Sequence, residues 1–147
     1  MMTQYTHTIT KEEISLLEIE EFLGRIIVID TEKDSDKAVS YLSGFEAVGF
    51  DTETRPSFKK GTRYKISLMQ ISTDEACFLF RLNRIGIPQS LEDFLVNEKI
   101  LKIGLSLRDD FGAMRKRTDI KPANFLDLQN YVGQFGIEDA SLQKIYA

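Results

Sequence analysis

The amino-acid sequence predicts a single α/β domain with a mixed β-sheet that is flanked by helices on both faces. Two apolar strands are separated only by Asp74 and Glu75, which indicates an antiparallel hairpin. The later strands alternate with helices, a pattern typical of parallel strands joined by crossovers. The chain has 147 residues, which is the size of one domain.

The elements follow in chain order. Residues 1–24 are predicted to be a polar tail and a short helix that reaches Gly24, because Thr10 and Glu13 have the spacing of a capping box. The predicted strands are residues 25–30, 47–54, 65–73, 76–82 and 99–104, and the predicted helices are residues 35–45, 90–98, 106–117 and a last one from about Asp139. Residues 55–64 contain Pro56 and Gly61 and are predicted to be a loop.

The composition excludes several classes of protein. Of all residues 42% are hydrophobic and 29% are charged, and the net charge of −4 argues against a surface that is basic throughout. The first ten residues are polar, unlike a signal peptide, and no apolar run is long enough to cross a membrane. One cysteine and one histidine exclude a zinc site of thiolates and imidazoles. Cys77 lies in an apolar run, so we expect a buried thiol and a cytoplasmic protein.

The run VGFDTET, residues 48–54, places two acids in an otherwise apolar strand. Strand alternation puts Asp51 and Glu53 on one side and Val48, Phe50 and the two threonines on the other. Carboxylates about 6–7 Å apart repel each other. The strand therefore either ends in water or holds something positive between its acids.

A third acid is predicted to face the core of the domain. In helix 106–117 the spacing of Leu107, Asp110 and Met114 places Asp110 on the inward side. Asp109 lies off that side, where it can serve the helix N-terminus. An inward carboxylate must be paired, protonated or bound to a metal.

The three acids Asp51, Glu53 and Asp110 are thus each predicted to face inward near the edge of the core. Two explanations of them remain open on spacing alone. Arginines can pair with them, or hard divalent cations such as Mg²⁺ or Mn²⁺ can bind between them. Two such ions about 3.5–4 Å apart can activate water and stabilise a leaving oxygen in phosphodiester cleavage.

The run VGFDTET followed by KISLMQIST, CFLF and LEDFLVNEKILKIGLSLRDDFGAMRK resembles the DEDD-type 3′–5′ exonucleases, in the branch of RNase D and the Werner syndrome exonuclease. The resemblance covers about residues 25–147. It implies an RNase H-like fold, two Mg²⁺ or Mn²⁺ ions and stepwise hydrolysis at the 3′ end of DNA or RNA to release nucleoside monophosphates. It also implies that Asp51 binds both ions, Glu53 the ion with the attacking water, and Asp110 the other ion.

The third motif of that family, Tyr-x-x-x-Asp, has no counterpart here. No aspartate follows four residues after any of the five tyrosines, so the fourth acid and the water-orienting tyrosine are missing from these 147 residues. We expect the domain to be incomplete at its C-terminus and this chain to be weakly active or inactive. We also expect the apolar surface that a further helix would cover to allow a homodimer.

Substrate contacts are expected from residues beside the acids and from the basic loop that follows them. These residues are Thr52, Thr54, Arg55, Phe58, Lys59, Lys60 and Arg63. A solvated loop with ordinary lysines is the alternative. Residues 115–121 are a second basic cluster, at a helix C-terminus where cations are favoured in any case. Asp127 is equally compatible with a supporting acid and with an exposed turn residue.

Three functions are therefore weighed. The leading one is a divalent-metal 3′–5′ exonuclease. The second is a catalytically silent nucleic-acid-binding or interaction module of the same fold, favoured by the missing third motif. The third is a phosphatase with an aspartyl nucleophile, which is weakened because the second acid of the strand motif is Glu53 rather than aspartate.

Overall fold

The computed structural model describes residues 4–55, 57–61 and 64–147. The strands are β1 Arg25–Ile29, β2 Ala47–Thr54, β3 Ile66–Ser72, β4 Ala76–Arg81, β5 Leu101–Gly104 and β6 Phe125–Asp127. The α-helices are α1 Lys11–Ser15, α2 Glu32–Leu42, α3 Leu82–Ile85, α4 Gln89–Val96, α5 Leu107–Met114, α6 Leu128–Tyr131 and α7 Leu142–Tyr146, and a 3₁₀ helix spans Val132–Phe135. Thr10 caps α1 as expected, but the helix ends at Ser15, well before Gly24.

The six strands form one mixed sheet in the order β1-β4-β3-β2-β5-β6. β3 is antiparallel to both of its neighbours, β2 and β4, which confirms the predicted hairpin. The pairs β1–β4, β2–β5 and β5–β6 are parallel. The mixed sheet and its alternation with helices therefore confirm the predicted fold class.

One face of the sheet, which we call the core face, carries the hydrophobic core. Its strand residues are Ile29, Val48, Phe50, Met69, Ile71, Phe78 and Phe80. Residues of α2, α4 and α5 belong to the same buried cluster, so the three longest helices pack on this face. This arrangement follows from the chain path, because the crossovers β1–α2–β2, β4–α4–β5 and β5–α5–β6 all move in one direction along the sheet and share one hand.

The other face, which we call the open face, carries Ile26, Val28, Leu79, Gln70, Asp51, Glu53 and Ile103. None of these residues belongs to the core cluster, and the side chains of Ile26 and Val28 on the edge strand are 65% and 55% exposed. The open face is not bare, because Cys77 on it is buried and Gln70, Leu79 and Ile103 are half-buried. Its exposure is greatest on the edge strand β1 and at the end of β2.

The two ends of the described chain lie together. The backbone N–H of Glu138 donates to the carbonyl of His7 at 2.8 Å, and the N–H of Ile9 donates to the carboxylate of Asp139 at 2.9 Å. Among the described residues no helix has the length and apolar character needed to cross a bilayer.

Candidate active site

The candidate site lies at the carboxyl end of β2. β2 pairs with β5 only as far as Gly49 and then continues alone on that side to Thr54. Asp51 and Glu53 lie on this unpaired stretch, and both side chains are exposed. Their predicted inward position was wrong, because both project from the open face. Of the two explanations of the strand, the described residues therefore support the one in which its end lies in water. The alternation itself is confirmed, since Val48 and Phe50 on the opposite side are buried.

Asp110 reaches the same strand end from the core side. It lies in the first turn of α5, is half-buried, and accepts a hydrogen bond from the hydroxyl of Thr52. The pKa of the Asp110 carboxyl is raised to about 6, chiefly by burial. The Thr52 hydrogen bond lowers it, and the negative charges of Asp51, Asp109 and Glu53 add to the rise. The inward position predicted for Asp110 is confirmed.

The start of α5 is held by Asp127, at the end of β6. Its carboxylate accepts hydrogen bonds from the backbone N–H groups of Ser106 at 3.2 Å and Leu107 at 2.9 Å, and from that of Gln129 at 3.0 Å. Ser106 has a left-handed backbone with φ of 55°. Of the two roles predicted for Asp127, the structure therefore supports that of a supporting acid. Asp127 binds the N-terminus of α5, a role that the sequence had suggested for Asp109.

Two further features fix α5 against the sheet. A side chain at Gly104 would place its Cβ 2.5 Å from Leu107 and 2.9 Å from the carbonyl oxygen of Phe50, so only glycine lets the first turn pack this closely. Just beyond the helix, the guanidinium of Arg117 donates to the carbonyl of Ile66 at 2.6 Å and to Asn83 at 2.8 Å. Asp110 is thus presented by a helix held near both ends.

The three acids fit divalent cations by chemistry and charge. Asp51 and Glu53 are near enough to raise the pKa of Asp110, and all three offer the oxygen ligands that Mg²⁺ and Mn²⁺ prefer. The ion pairs formed among described residues involve none of them. However, no group of three or more His, Cys, Asp or Glu side chains among the described residues is close enough to hold an ion as placed. The site therefore has the acids but not a closed set of ligands.

The predicted substrate residues are only partly brought together. Thr54 and Arg55 line a groove beside α5, and the guanidinium of Arg55 lies 4.9 Å from the centre of the Tyr64 ring. Thr52 is engaged with Asp110. The remaining described members, Phe58, Lys59 and Lys60, are exposed and do not line that groove. Arg63 lies outside the described residues.

Comparison with known protein families identifies the family to which this chain is similar. Residues 26–145 match the family model of the 3′–5′ exonuclease domain. The bifunctional 3′–5′ exonuclease/ATP-dependent helicase WRN of Mus musculus is 29% identical over 120 residues, which is 78% of this chain but 9% of the mouse protein.

Solved structures give the same result for the fold. The RNase D of Trypanosoma brucei, in complex with RNA U12, superimposes with a TM-score of 0.64 and 26% identity over 74% of this chain and 39% of that one. The EXD2 exonuclease domain soaked in Mg and GMP gives a TM-score of 0.65 at 24% identity, over 76% of this chain and 60% of that one. These neighbours confirm the RNase H-like fold implied by the resemblance. The chain belongs to the 3′–5′ exonuclease family, in the branch of RNase D and WRN.

Proposed function

We propose that this chain is a divalent-metal-dependent exonuclease that hydrolyses phosphodiester bonds at the 3′ ends of DNA or RNA and releases nucleoside monophosphates. The observation that carries the proposal is the position of Asp110. A half-buried carboxyl lies within reach of the charges of Asp51 and Glu53, and its pKa is about 6. A cation relieves mutual repulsion of this kind, and membership of an exonuclease family favours a metal ion over an arginine as that cation.

Each residue has a definite part in this proposal. Asp51 and Glu53 would bind the metal from the open face, and Asp110 would bind it from the core side of the strand end. The hydroxyl of Thr52 orients the Asp110 carboxylate, and Asp127 holds the helix that carries it. Bound Mg²⁺ or Mn²⁺ would supply a Lewis acid and a water of lowered pKa for attack on the phosphodiester.

Turnover by these 147 residues alone is proposed to be slow. They contain three of the four acids that the family resemblance implies and no Tyr-x-x-x-Asp motif. The alternative is a catalytically silent module that binds nucleic acid. One observation favours this alternative: among the described residues, no three acidic, histidine or cysteine side chains lie close enough together to bind one ion.

The decisive experiment is digestion of oligonucleotides labelled at either end, as DNA and as RNA, in the presence of Mn²⁺. With a 5′ label we expect a ladder of shortening products, and with a 3′ label immediate release of a labelled mononucleotide. Asp51→Asn should lower the rate by more than about a hundredfold, because even the loss of an outer-shell partner of a metal ligand costs 10–100-fold.

The matched control is Asp74→Asn, which makes the same chemical change at an exposed residue of the β3–β4 turn. It should leave the rate unchanged. Mn²⁺ should also raise the melting temperature of the wild-type chain and of Asp74→Asn, but not that of Asp51→Asn. Binding of oligonucleotides without any shortening, in a chain that Mn²⁺ does not stabilise, would establish the silent module instead.

A further inference from the structure

A groove of about 1000 Å³ runs beside α5, next to the candidate site. One wall comes from the last residue of β2, Thr54, and from Arg55 and Tyr64 after it, and the other from α5 and the residues that follow it. Asp110 is not part of its lining, since that side chain turns toward Thr52. The groove therefore begins at the end of the strand that carries the acids and leads away from them.

The groove concentrates positive charge in a chain whose net charge is −4. Its lining contains four cations, Arg55, Arg108, Arg115 and Lys116, and two carboxylates, Asp109 and Asp127. The carboxylate of Asp127 is already engaged by backbone N–H groups. The ion pairs formed among described residues do not include any of the four cations. These cations are thus free to meet an anionic ligand.

The guanidinium of Arg55 is held in place before any ligand arrives. It stacks over the ring of Tyr64, 4.9 Å from the ring centre. A stacked guanidinium loses less conformational entropy when it binds a phosphate than a freely moving one does. Among the four cations, Arg55 thus has an aromatic ring to stack on and stands closest in sequence to Glu53.

The floor of the groove contains a glycine in the middle of a helix. Gly112 lies in α5 and lines the groove, and a Cβ at this position would meet no atom within 4 Å. Glycine in a helix interior costs roughly 0.5–1 kcal/mol relative to alanine. Packing among the described residues therefore does not require this glycine, and the open space beside it leaves the helix backbone accessible from the groove.

We propose that this groove holds the sugar–phosphate backbone of a single nucleic-acid strand, on the 5′ side of the nucleotide that is removed. The inference rests on the proposed exonuclease function. A 3′-terminal nucleotide at the acids leaves chain only on its 5′ side, so a phosphate-binding surface beside the site receives upstream nucleotides. Arg108 and Arg115 are about 10 Å apart along the helix axis, which allows contacts to separate phosphates.

The first test removes charge. Binding of a fluorescent dT15 and of a dT3 is measured without divalent metal, over a range of salt concentrations. For Arg108→Gln/Arg115→Gln, dT15 should bind about tenfold more weakly, and the slope of log K on log salt should fall in magnitude by about 1.4, because each phosphate contact to a single strand contributes about 0.7. Binding of dT3, too short to extend along the groove, should be unchanged.

The matched control is Lys33→Gln/Lys37→Gln, which removes two exposed cations from α2, away from the groove. It should bind dT15 like the wild-type chain. The second test is Gly112→Gln, which places a neutral side chain over the helix backbone without a clash. It should weaken dT15 binding at every salt concentration and leave the salt slope unchanged.

Three results would overturn the proposal. The first is an equal loss of dT15 binding in the α2 control, which would indicate only general charge attraction. The second is wild-type binding by both Arg108→Gln/Arg115→Gln and Gly112→Gln. The third is competition by polyglutamate as strong as that by unlabelled dT15, which would assign the groove to an acidic protein segment.

The groove and the exonuclease activity can fail separately. If dT15 binding depends on the groove but the oligonucleotide is never shortened in Mn²⁺, the proposed function fails and the groove assignment stands. If the wild-type chain and Arg108→Gln/Arg115→Gln bind and shorten dT15 equally, the exonuclease stands and the groove assignment fails.

Discussion

The two faces of the sheet are built from the same strands but differ in burial and charge, most of all in β1 and at the end of β2. In β1, Ile29 on the core face is 3% exposed, whereas Val28 beside it on the open face is 55% exposed. In β2, Phe50 on the core face is 5% exposed, and the next residue, Asp51, is exposed on the open face. A shift of one residue along a strand therefore separates hydrophobic packing from solvent and charge.

This difference shows how the candidate site is assembled. Helices joined by crossovers of one hand collect on the core face, and α5 brings Asp110 to the end of β2 from that side. Asp51 and Glu53 reach the same point from the open face, where nothing among the described residues packs on them closely. One acid is therefore fixed by packing and two are left in water, which is where a cation and a substrate can enter.

The largest expected effect comes from comparing truncations on the two faces. Phe80 is fully buried on the core face, so Phe80→Ala should lower the free energy of unfolding by about 3–5 kcal/mol. Val28→Ala on the open face should lower it by less than about 1 kcal/mol, because most of that side chain already contacts water. Urea denaturation measures both values.

The same measurement at two protein concentrations tests the expected homodimer. The stability of a dimer depends on concentration, whereas that of a monomer does not. Concentration-independent unfolding of the wild-type chain would exclude association through the open face. A large loss in Val28→Ala would show that the open face is covered in solution.

The next effect concerns Lys102, a lysine buried on the core side of β5. Its ammonium donates to the carbonyl of Asn97 at 2.8 Å and lies 5.2 Å from the centre of the Phe125 ring, and burial lowers its pKa from 10.5 to about 8. The native lysine therefore releases its proton near pH 8, while the unfolded lysine keeps it to about pH 10.5. Between these values the unfolded state binds more protons, so stability should rise with pH, by about 3 kcal/mol in total.

Lys102→Met should abolish this increase of stability with pH. Urea denaturation of the wild-type chain and of Lys102→Met at pH 8, 9 and 10 measures it. The buried thiol of Cys77 acts in the opposite direction, because burial raises its pKa above 9.0 and the unfolded thiol ionises first. In Cys77→Ala the free energy of unfolding should therefore increase more steeply with pH than in the wild-type chain, whereas in Lys102→Met the increase should disappear. Parallel curves for the wild-type chain and Lys102→Met would contradict a buried, proton-releasing lysine.

The third effect concerns the stability contribution of Asp110, which lies beside the end of β2, where residues of both faces come together. Since the pKa of Asp110 is raised from 3.8 to about 6 in the native state, the ionised carboxylate destabilises the metal-free chain at pH 7. The stability associated with its protonated form is present below pH 4 and is lost as the pH rises to about 6. Asp110→Asn should therefore stabilise the metal-free chain at pH 7 by up to about 3 kcal/mol.

Thermal unfolding with and without Mn²⁺ provides the measurement for this variant. Asp110→Asn should melt at a higher temperature than the wild-type chain in EDTA, and it should gain nothing from Mn²⁺. At pH 4 the two chains should melt at nearly the same temperature. A destabilised Asp110→Asn in EDTA would show that this carboxylate is stabilised by its neighbours rather than repelled.

Much of the core face could be predicted from the sequence, because strand alternation and helical spacing are local. The buried positions of Val48 and Phe50 and the inward turn of Asp110 required only the periods of a strand and a helix. The sequence could not show that Asp51 and Glu53 are exposed. That outcome depends on which face the crossover helices cover, and this is set by the order of all six strands.

The supporting residues were hidden for the same reason. Asp127 caps α5 only because β6 lies beside β5 in a register that pairs Asp127 with Gly104. Nothing local marks Lys102 as buried, since it is a single lysine in the apolar run of residues 100–103 and the run does not show which face of the sheet the core covers. Arg108 had no signal either, because the wall opposite it comes from the segment after β2, more than forty residues earlier.

The smallest expected effect compares two neighbouring residues of α5. Both line the groove, but Gly112 has no atom near its missing Cβ, whereas Ala113 is also packed against the core. Gly112→Ala should stabilise the chain by roughly 0.5–1 kcal/mol, because alanine restricts the unfolded backbone and clashes with nothing. Ala113→Gly should destabilise it by at least about 1 kcal/mol, since it removes both helix propensity and a core contact. Urea denaturation decides the sign of each change, and a destabilised Gly112→Ala would mean that the glycine serves the fold and is not an opening kept for a ligand.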